Sequence, residues 1–405
     1  MSWHTSTLGS IVAMDGGLIQ TGPFGSQLHQ HEYQTEGIPV VMPKDIANGQ
    51  VSIESVARIS EATANRLARH KLKPRSIVLP RRGEVTKRAF VRPEQEGWLC
   101  GTGCLKIELS DKYLLPEYLY YFMEQAECVE WLERNAVGTT MLNLSAGIVS
   151  QFPVRYPDVA TQRVVTQFLS AYDDLIDNNR RRMALLEESA RLLYREWFVR
   201  LHFPGYEHTR IVDGVPEGWK RKSLGDLCSE IRESVSPDAS EPDTPYIGLE
   251  HLPRRSIALC DWGKAEQVTS NKHRFRAGEI LFGKIRPYFH KVGVAFVDGV
   301  ASSDAIVIRP NNPLHHGLVL MTVASDEFVA DTSQSMKEGS KMPRADWKQM
   351  QRYPTPLPPD GLLDSFESVI QPIVEQLKAL TFATIKLRAA RDLLLPRLMS
   401  GEITV

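Results

Sequence analysis

The chain repeats itself. Trp3 through Leu8-Gly9 reads W-x4-L-G, and so does Trp219 through Leu224-Gly225. His70-Lys71-Leu72-Lys73 is matched by His273-Arg274-Phe275-Arg276, and an apolar run follows each, Ile77-Val78-Leu79 and Ile280-Leu281-Phe282. Cys104-Leu105-Lys106-Ile107 aligns with Ala305-Ile306-Val307-Ile308, Gly138 to Met141 with Gly339 to Met342, and Phe152-Pro153 with Tyr353-Pro354. One such match arises by chance; a whole set in the same order marks one architectural unit written twice. A length of 405 residues leaves room for two to four domains, so each copy is large enough to bury its own core.

Each copy ends in a long apolar seam. In the first, Val165, Leu169, Tyr172, Ile176, Asn179, Met183, Leu186, Ala190, Leu193 and Trp197 recur at heptad spacing, with Asn179 the polar member. Asp158 stands where an N-cap belongs, and Pro204-Gly205 is expected to stop the helix. In the second, Phe366, Ile370, Ile373, Leu377, Leu380, Thr384, Leu387, Arg391 and Leu394 repeat the pattern, with Pro396 as the expected end. Two seams of similar length can bury each other as an antiparallel pair. Ahead of the seams lie short β-rich runs, at Pro39–Met42 and Ser76–Leu79 in the first copy and Gly293–Val297 and Ala305–Ile308 in the second, and a helix expected to open at Pro116 and continue through Leu132. The expected fold is α+β: mixed α/β domains at 1–155 and 206–357 related by pseudo-twofold symmetry, each followed by a long helix, at 156–205 and 358–405, the two helices forming an antiparallel coiled coil.

Charge is close to balanced, 48 Lys and Arg against 49 Asp and Glu, so any surface for a polyanion must be local. It is. Arg66, Arg69, Lys71, Lys73, Arg75, Arg81, Arg82, Lys87, Arg88 and Arg92 face one acid, Glu84; in the second copy Lys272, Arg274, Arg276, Lys284, Arg286 and Lys291 face only Glu279, with His273, Tyr288, Phe289 and His290 interleaved. Around the Gly339 landmark stand Lys337, Lys341, Arg344, Lys348 and Arg352; the first copy is polar there, with Thr139, Thr140, Asn143 and Ser145. Lysine and arginine neutralise phosphates and supply affinity without sequence information. Bidentate hydrogen bonds from Arg to guanine, or from Asn or Gln to adenine, supply specificity. The candidate DNA-binding residues are Lys44, Arg81, Arg82, Lys87, Arg88, Thr139, Thr140 and Asn143 in the first copy, and Arg254, Arg255, Lys284, Arg286, Tyr288, His290, Lys291, Lys341 and Arg344 in the second.

No catalytic motif accompanies them. Gly278 to Ile285 fits G-x4-G-K but lacks the Ser or Thr that would hold magnesium, and its apolar middle reads as a strand. Asp331 with Asp346-Trp347-Lys348 is the nearest approach to a nuclease constellation. An adenine methyltransferase would need an Asn/Asp-Pro-Pro-aromatic motif and a glycine-rich cofactor loop, and neither is present. His29, His31 and Glu32 lack further ligands at metal spacing, and Cys100 and Cys104 read as free buried thiols. No run approaches the ~20 apolar residues of a membrane-spanning helix, and the segment from Met1 lacks a signal-peptide pattern, so a reducing cytoplasm is expected. Two rival readings make different predictions. A duplicated protein-binding scaffold would not bind duplex DNA with a steep salt dependence. A self-sufficient nuclease using Asp331 and Asp346 would cut DNA with metal and no partner.

Over essentially its whole length the chain resembles the specificity subunits of type I restriction-modification enzymes. The resemblance is carried by the two W-x4-L-G heads, Gly22-Pro23-Phe24-Gly25-Ser26, the segment from Gly138 to Ser145, the proline-rich helix entries, and Tyr172-Asp173-Asp174-Leu175-Ile176-Asp177-Asn178-Asn179 in the central helix. The second copy departs from the first in Arg344-Ala345-Asp346 for Asn143-Leu144-Ser145, and in lacking a counterpart of Gln162. The resemblance implies two target-recognition domains, each reading half of a split DNA site. The helices would be both a ruler and a dock for two methyltransferase subunits. S-adenosylmethionine would bind to those subunits, and ATP and magnesium to a motor-nuclease subunit, with no cofactor, metal or catalytic residue in this chain. Some thirty helical residues span about 45 Å at ~1.5 Å per residue, on the order of a dozen base pairs between half-site centres.

Overall fold

A computed structural model describes residues 3–53, 56–139, 141–237, 241–267, 269–334 and 343–403. Its contacts divide the chain into two compact units: Met1–Asp174 with Arg388–Val405, and Leu175–Leu387. The class is α+β, two mixed α/β units and two long helices.

In the first unit an antiparallel sheet runs Leu18–Thr21, Cys104–Glu108, Ile77–Pro80, Ala89–Phe90. Side chains alternate across a strand, and here both faces are covered, which is why Ile77-Val78-Leu79 is apolar throughout. Ile77, Leu79, Leu105 and Ile107 pack with Tyr118, Leu119, Phe122, Val165 and Leu169. Val78 and Cys104 point the other way, to Val41, Leu72 and Cys100. A second sheet orders Leu99–Cys100, Ile38–Val41, Ala57–Ile59 and Tyr33–Gln34, its first pair parallel. The helix from Pro116 is shorter than its pattern suggested: Pro116–Phe122 is one helix and Ala126–Asn135 another.

The second unit repeats the plan. Its antiparallel sheet runs Cys228–Ile231, Ala305–Pro310, Ile280–Gly283, Val292–Val294. Ile280, Phe282, Ile306 and Ile308 pack toward the helix His316–Val323, while Leu281 and Val307 face Ile247 and Phe275. A parallel pair recurs in its second sheet, between Pro245–Ile247 and Gly299–Ala301. The repeated head motif has one physical cause in both units. Leu8 N–H donates to the Phe152 carbonyl at 2.8 Å, and Leu224 N–H to the Tyr353 carbonyl at 2.9 Å. The glycine that follows is forced by close approach: a Cβ on Gly9 would meet the Ser150 carbonyl at 2.9 Å, and one on Gly225 the Gln351 Cβ at 3.0 Å.

The central helix is Val159–Tyr194, capped by Asp158, whose carboxylate accepts the Thr161 N–H at 2.9 Å. It gives way to a π-turn at Arg195–Val199, before Pro204-Gly205 is reached. The C-terminal helix is Asp360–Ser400. Pro396 does not end it. A proline removes one helical N–H bond, and the turn that carries it buries Leu395, Leu398 and Met399 in the core of the first unit; the chain leaves the helix at Gly401, φ +78°. Within the second unit Asn179 donates to the Thr384 hydroxyl at 3.4 Å while the rings of Phe198 and Phe366 meet at 4.8 Å, so the helices run antiparallel there.

Candidate nucleic-acid interface

In the first unit the buried strand Ile77–Pro80 delivers the chain to Arg81 and Arg82 at the edge of the sheet. The Arg81 N–H donates to the Gly103 carbonyl at 2.7 Å, and its carbonyl accepts from Leu144 N–H at 2.8 Å. Arg82 is bridged to Asn143, and Gly83 N–H donates to the Leu142 carbonyl at 3.0 Å. The basic loop is therefore zipped to the polar segment that follows Gly138. That segment is itself a closed loop, since Val137 and Asn143 exchange backbone bonds of 2.9 Å. Gly138 has φ +122°, and a Cβ there would strike the Met141 carbonyl at 2.4 Å. Thr139 and Met141 are exposed near its tip, and Ser145 caps the short helix Ala146–Ser150.

The second unit makes the same zipper from different residues. The Lys284 carbonyl accepts from Ala345 N–H at 2.8 Å, Ile285 is bridged to Arg344, and Arg286 N–H donates to the Pro343 carbonyl at 2.9 Å. Asp346 caps the helix Trp347–Met350 in the place of Ser145. The backbone thus equates Arg81 with Lys284, Arg82 with Ile285, and Asn143 with Arg344. Lys337, Lys341 and, in the first copy, Thr140 lie outside the described residues. After Arg286 the turn Pro287–Phe289 leaves Tyr288 exposed and sets Phe289 against two guanidiniums, Arg254 at 4.1 Å and Arg286 at 5.9 Å. The Arg255 N–H donates to the His290 carbonyl at 2.9 Å, which fixes the 254–255 loop beside this turn.

The expected basic residues separate by environment. Arg81, Arg82, Arg254 and Arg286 have no carboxylate partner among the described residues, and the last three are exposed. Lys44 is exposed on the turn Pro43–Asp45. Three charges are already paired at the surface: Lys87 with Glu84 at 2.5 Å, Arg255 with Asp326 at 2.8 Å, and Arg344 with Asp304 at 3.3 Å.

Four candidates turn inward. Arg88 pairs with Glu124 at 2.6 Å and donates to the Tyr120 carbonyl at 3.0 Å; burial pushes its guanidinium down to about 10. His290 is buried, with Nε2 2.8 Å from the Ala324 carbonyl, and burial lowers its pKa. Lys291 donates to the Leu249 carbonyl at 2.5 Å and Lys284 to the Ser303 carbonyl at 3.0 Å, both with pKa values lowered by burial. A basic run in sequence does not distinguish these from their exposed neighbours, because the groups that neutralise them come from distant segments.

Two residue sets in the site carried little or no sequence signal. Phe24, exposed in the Gly22–Ser26 turn, lies 5.6 Å from the Arg81 guanidinium; its motif carried the resemblance, but nothing in it pointed to Arg81. Glu187 and Arg191 of the central helix hold the 255–258 loop: Glu187 accepts from Ser256 Oγ at 2.6 Å and Ala258 N–H at 3.2 Å, and Arg191 donates to the Arg255 carbonyl. Nothing in their heptad positions announces this.

Several of the other groups weighed in the sequence are already engaged. Asp346 is occupied as a helix cap, Glu32 is paired with Arg66, and Gly278 to Gly283 is a turn and a strand. Among the described residues no three His, Cys, Asp or Glu side chains gather as a metal site, and no helix is long and apolar enough to cross a membrane. Cys100 and Cys104 are free and buried, which pushes the Cys100 thiol up to about 12.

The fold and its candidate site are those of a duplicated α/β scaffold that offers two zipped, arginine-bearing loops. The family model for the type I restriction modification DNA specificity domain matches residues 2–188. The type I restriction enzyme MjaIX specificity subunit of Methanocaldococcus jannaschii is 23% identical over 92% of this chain and 88% of its own length. The EcoDI specificity subunit of Escherichia coli is 23% identical over 60% of this chain and 59% of its own. A solved S subunit of a type I restriction-modification system from M. genitalium shares the fold, with a TM-score of 0.60 at 14% identity, covering 98% of this chain and 96% of that one. Residues 2–188 thus match a DNA specificity domain, and along its length the chain is similar to the specificity subunits of type I restriction-modification enzymes.

Proposed function

We propose that each unit reads one half of a split DNA site, and that the chain brings two methyltransferase subunits, and a motor-nuclease subunit where cleavage occurs, to that site. The observation that supports this is the zipper: two loops joined by the same backbone bonds in both units, carrying Arg81, Arg82 and Asn143 in one and Lys284, Ile285 and Arg344 in the other. A shared frame with different side chains suits two different half-sites. Arg82 and Lys44 in the first unit, and Arg286 in the second, meet phosphates. Thr139, Asn143 and Tyr288 line the base-reading edges; Thr140 and Lys341 take the same role on their sequence alone, and Arg344 reaches DNA by exchanging Asp304 for it. Lys87 and Arg255 reach DNA by exchanging their surface carboxylates for phosphate. Arg88, Lys284, His290 and Lys291 shape the loops from behind.

The chemistry falls to the partners. The methyltransferase subunits bind S-adenosylmethionine, extrude an adenine and methylate its N6; the restriction subunit uses ATP and magnesium. The complex works in the cytoplasm, where DNA is.

Binding of the chain with its methyltransferase partners to duplex DNA across a salt series tests the reading. Each phosphate contact contributes about 0.9 to the slope of log affinity against log salt. Arg82→Ala and Arg286→Ala are each expected to flatten that slope by about 1, with the mapped pattern of methylated adenines unchanged. Slopes equal to that of the unaltered protein would remove both residues from the DNA surface.

A further inference from the structure

Two guanidiniums are each the nearest cation to an aromatic ring beside the zipper, Arg286 being the more distant of the two on Phe289 at 5.9 Å. Arg81 stands 5.6 Å from the centre of the Phe24 ring and Arg254 4.1 Å from that of Phe289. Among the described residues neither has a carboxylate partner, and Arg81 Nε is shut off from solvent without an acceptor. Lys87, Arg255 and Arg344 are neutralised by carboxylates, and Lys284 and Lys291 are spent on carbonyls. The difference matters chemically. A carboxylate orients a guanidinium by consuming its N–H donors. An aromatic face attracts the cation and favours stacking of its plane while leaving the donors at its edge unused. A phosphate asks only for charge, whereas guanine, with O6 and N7 side by side, asks for a planar fork already aimed.

The two pairs are not copies of each other. In the first unit the arginine follows the core strand and the ring comes from the Gly22–Ser26 turn; in the second the ring follows the core strand and the arginine comes from the 254–255 loop. The units therefore reach one arrangement from non-equivalent positions, which inheritance by duplication does not account for. Stacking alone is not the criterion. Arg155 also lies over a ring, Trp3 at 4.6 Å, but it belongs to the strand Pro153–Tyr156 and not to the loops at the zipper.

We infer that Arg81 and Arg254 are the base-reading arginines of the two units, each presenting its fork to a guanine in the major groove, with Phe24 and Phe289 as positioning residues. The inference rests on the DNA reading above and adds that each half of the recognised sequence contains a guanine read in this way. Lysine at either position keeps the charge and loses the fork.

The test uses the full chain with its methyltransferase partners, a duplex carrying the site mapped from methylated adenines, and a random duplex. Arg254→Lys is expected to weaken binding to the mapped site on the order of 10- to 100-fold, while binding to random duplex and its salt slope stay put. Replacing one guanine of the corresponding half-site by 7-deazaguanine, which lacks N7, should cost the unaltered protein affinity and cost Arg254→Lys nothing further. Phe289→Leu should lose discrimination and Phe289→Tyr, which keeps the ring, should retain it. Arg81→Lys, Phe24→Leu and Phe24→Tyr should behave likewise on the other half-site. Equal losses on mapped and random duplex, additive losses from 7-deazaguanine, a half-site without a G·C pair, or a Phe289→Tyr variant as impaired as Phe289→Leu would each overturn the inference. If the unaltered protein fails to prefer its mapped site to random duplex, the DNA reading itself falls, and this inference with it.

Discussion

Arg82 and Arg88 belong to one basic run and have opposite fates. Arg82 is exposed at the zipper, bridged to Asn143 through its backbone alone. Arg88 leaves only 10% of its side chain accessible and is committed to Glu124 and the Tyr120 carbonyl, with the Tyr120 ring 5.2 Å away. Removing one partner of a buried pair strands the other charge, a loss of about 3 kcal/mol. Arg88→Ala is therefore expected to lower stability by that order in urea unfolding, with the DNA affinity of the folded fraction little changed. Arg82→Ala should do the reverse, shifting stability by no more than about 0.5 kcal/mol while weakening DNA binding. An Arg88→Ala protein as stable as the unaltered one would show that the Glu124 pair contributes nothing.

At the scale of elements, the packing of the helix His316–Val323 on the C-terminal helix creates a titratable seam. Gly317 has no side chain, so its N–H reaches Glu367 Oε2 at 2.8 Å; a Cβ there would meet the same oxygen at 2.3 Å. The other oxygen, Oε1, has no partner among the described residues, and burial pushes the Glu367 carboxyl up to about 7 from an ordinary value of 4.5. The folded state thus holds this proton more tightly than the unfolded chain. Its stabilising contribution is complete below about pH 4.5 and is lost as pH rises through about 7. Between pH 5 and pH 8 the unaltered protein should lose on the order of 2 kcal/mol through this group, and Glu367→Gln should lack that loss. Unfolding curves at the two pH values give the comparison, and identical pH dependence in both proteins would show that Glu367 ionises freely in the fold.

At the scale of the molecule, each unit has its own cores, and both long helices belong to both. The central helix gives Val165 and Leu169 to the first unit and Ala190 and Tyr194 to the second; the C-terminal helix gives Phe366, Ile370 and Leu377 to the second and Leu395, Leu398 and Met399 to the first. The reading apparatus proposed for the first unit is nonetheless self-contained. The Arg81–Leu144, Arg82–Asn143 and Phe24–Arg81 contacts all fall within residues 1–155. Exchange of that segment for the matching one of a similar specificity subunit is expected to change one half of the recognised site and leave the other intact, as read by mapping methylated adenines. A change in both halves would show that the units do not read independently.

Local patterns carried most of the architecture. The duplication, the all-apolar strands at Ile77–Pro80 and Ile280–Gly283, the Asp158 cap and the heptad seams were legible because burial periodicity and capping depend on neighbours in the chain. Pro396 misled, because the local rule against proline met the burial of Leu395, Leu398 and Met399, which involves partners far away in sequence. The site divided along the same line. Its basic character was in the sequence, and so was its place after each core strand. Which charges are consumed was not: Arg88 and Lys291 turn in because Glu124 and the Leu249 carbonyl wait for them, and Arg81 and Arg254 lie against the rings of Phe24 and Phe289. The sequence by itself determined a duplicated basic scaffold on two long helices; only the tertiary structure decided which arginines remain free, since the partner that consumes or orients a charge comes from a segment that folding brings alongside it.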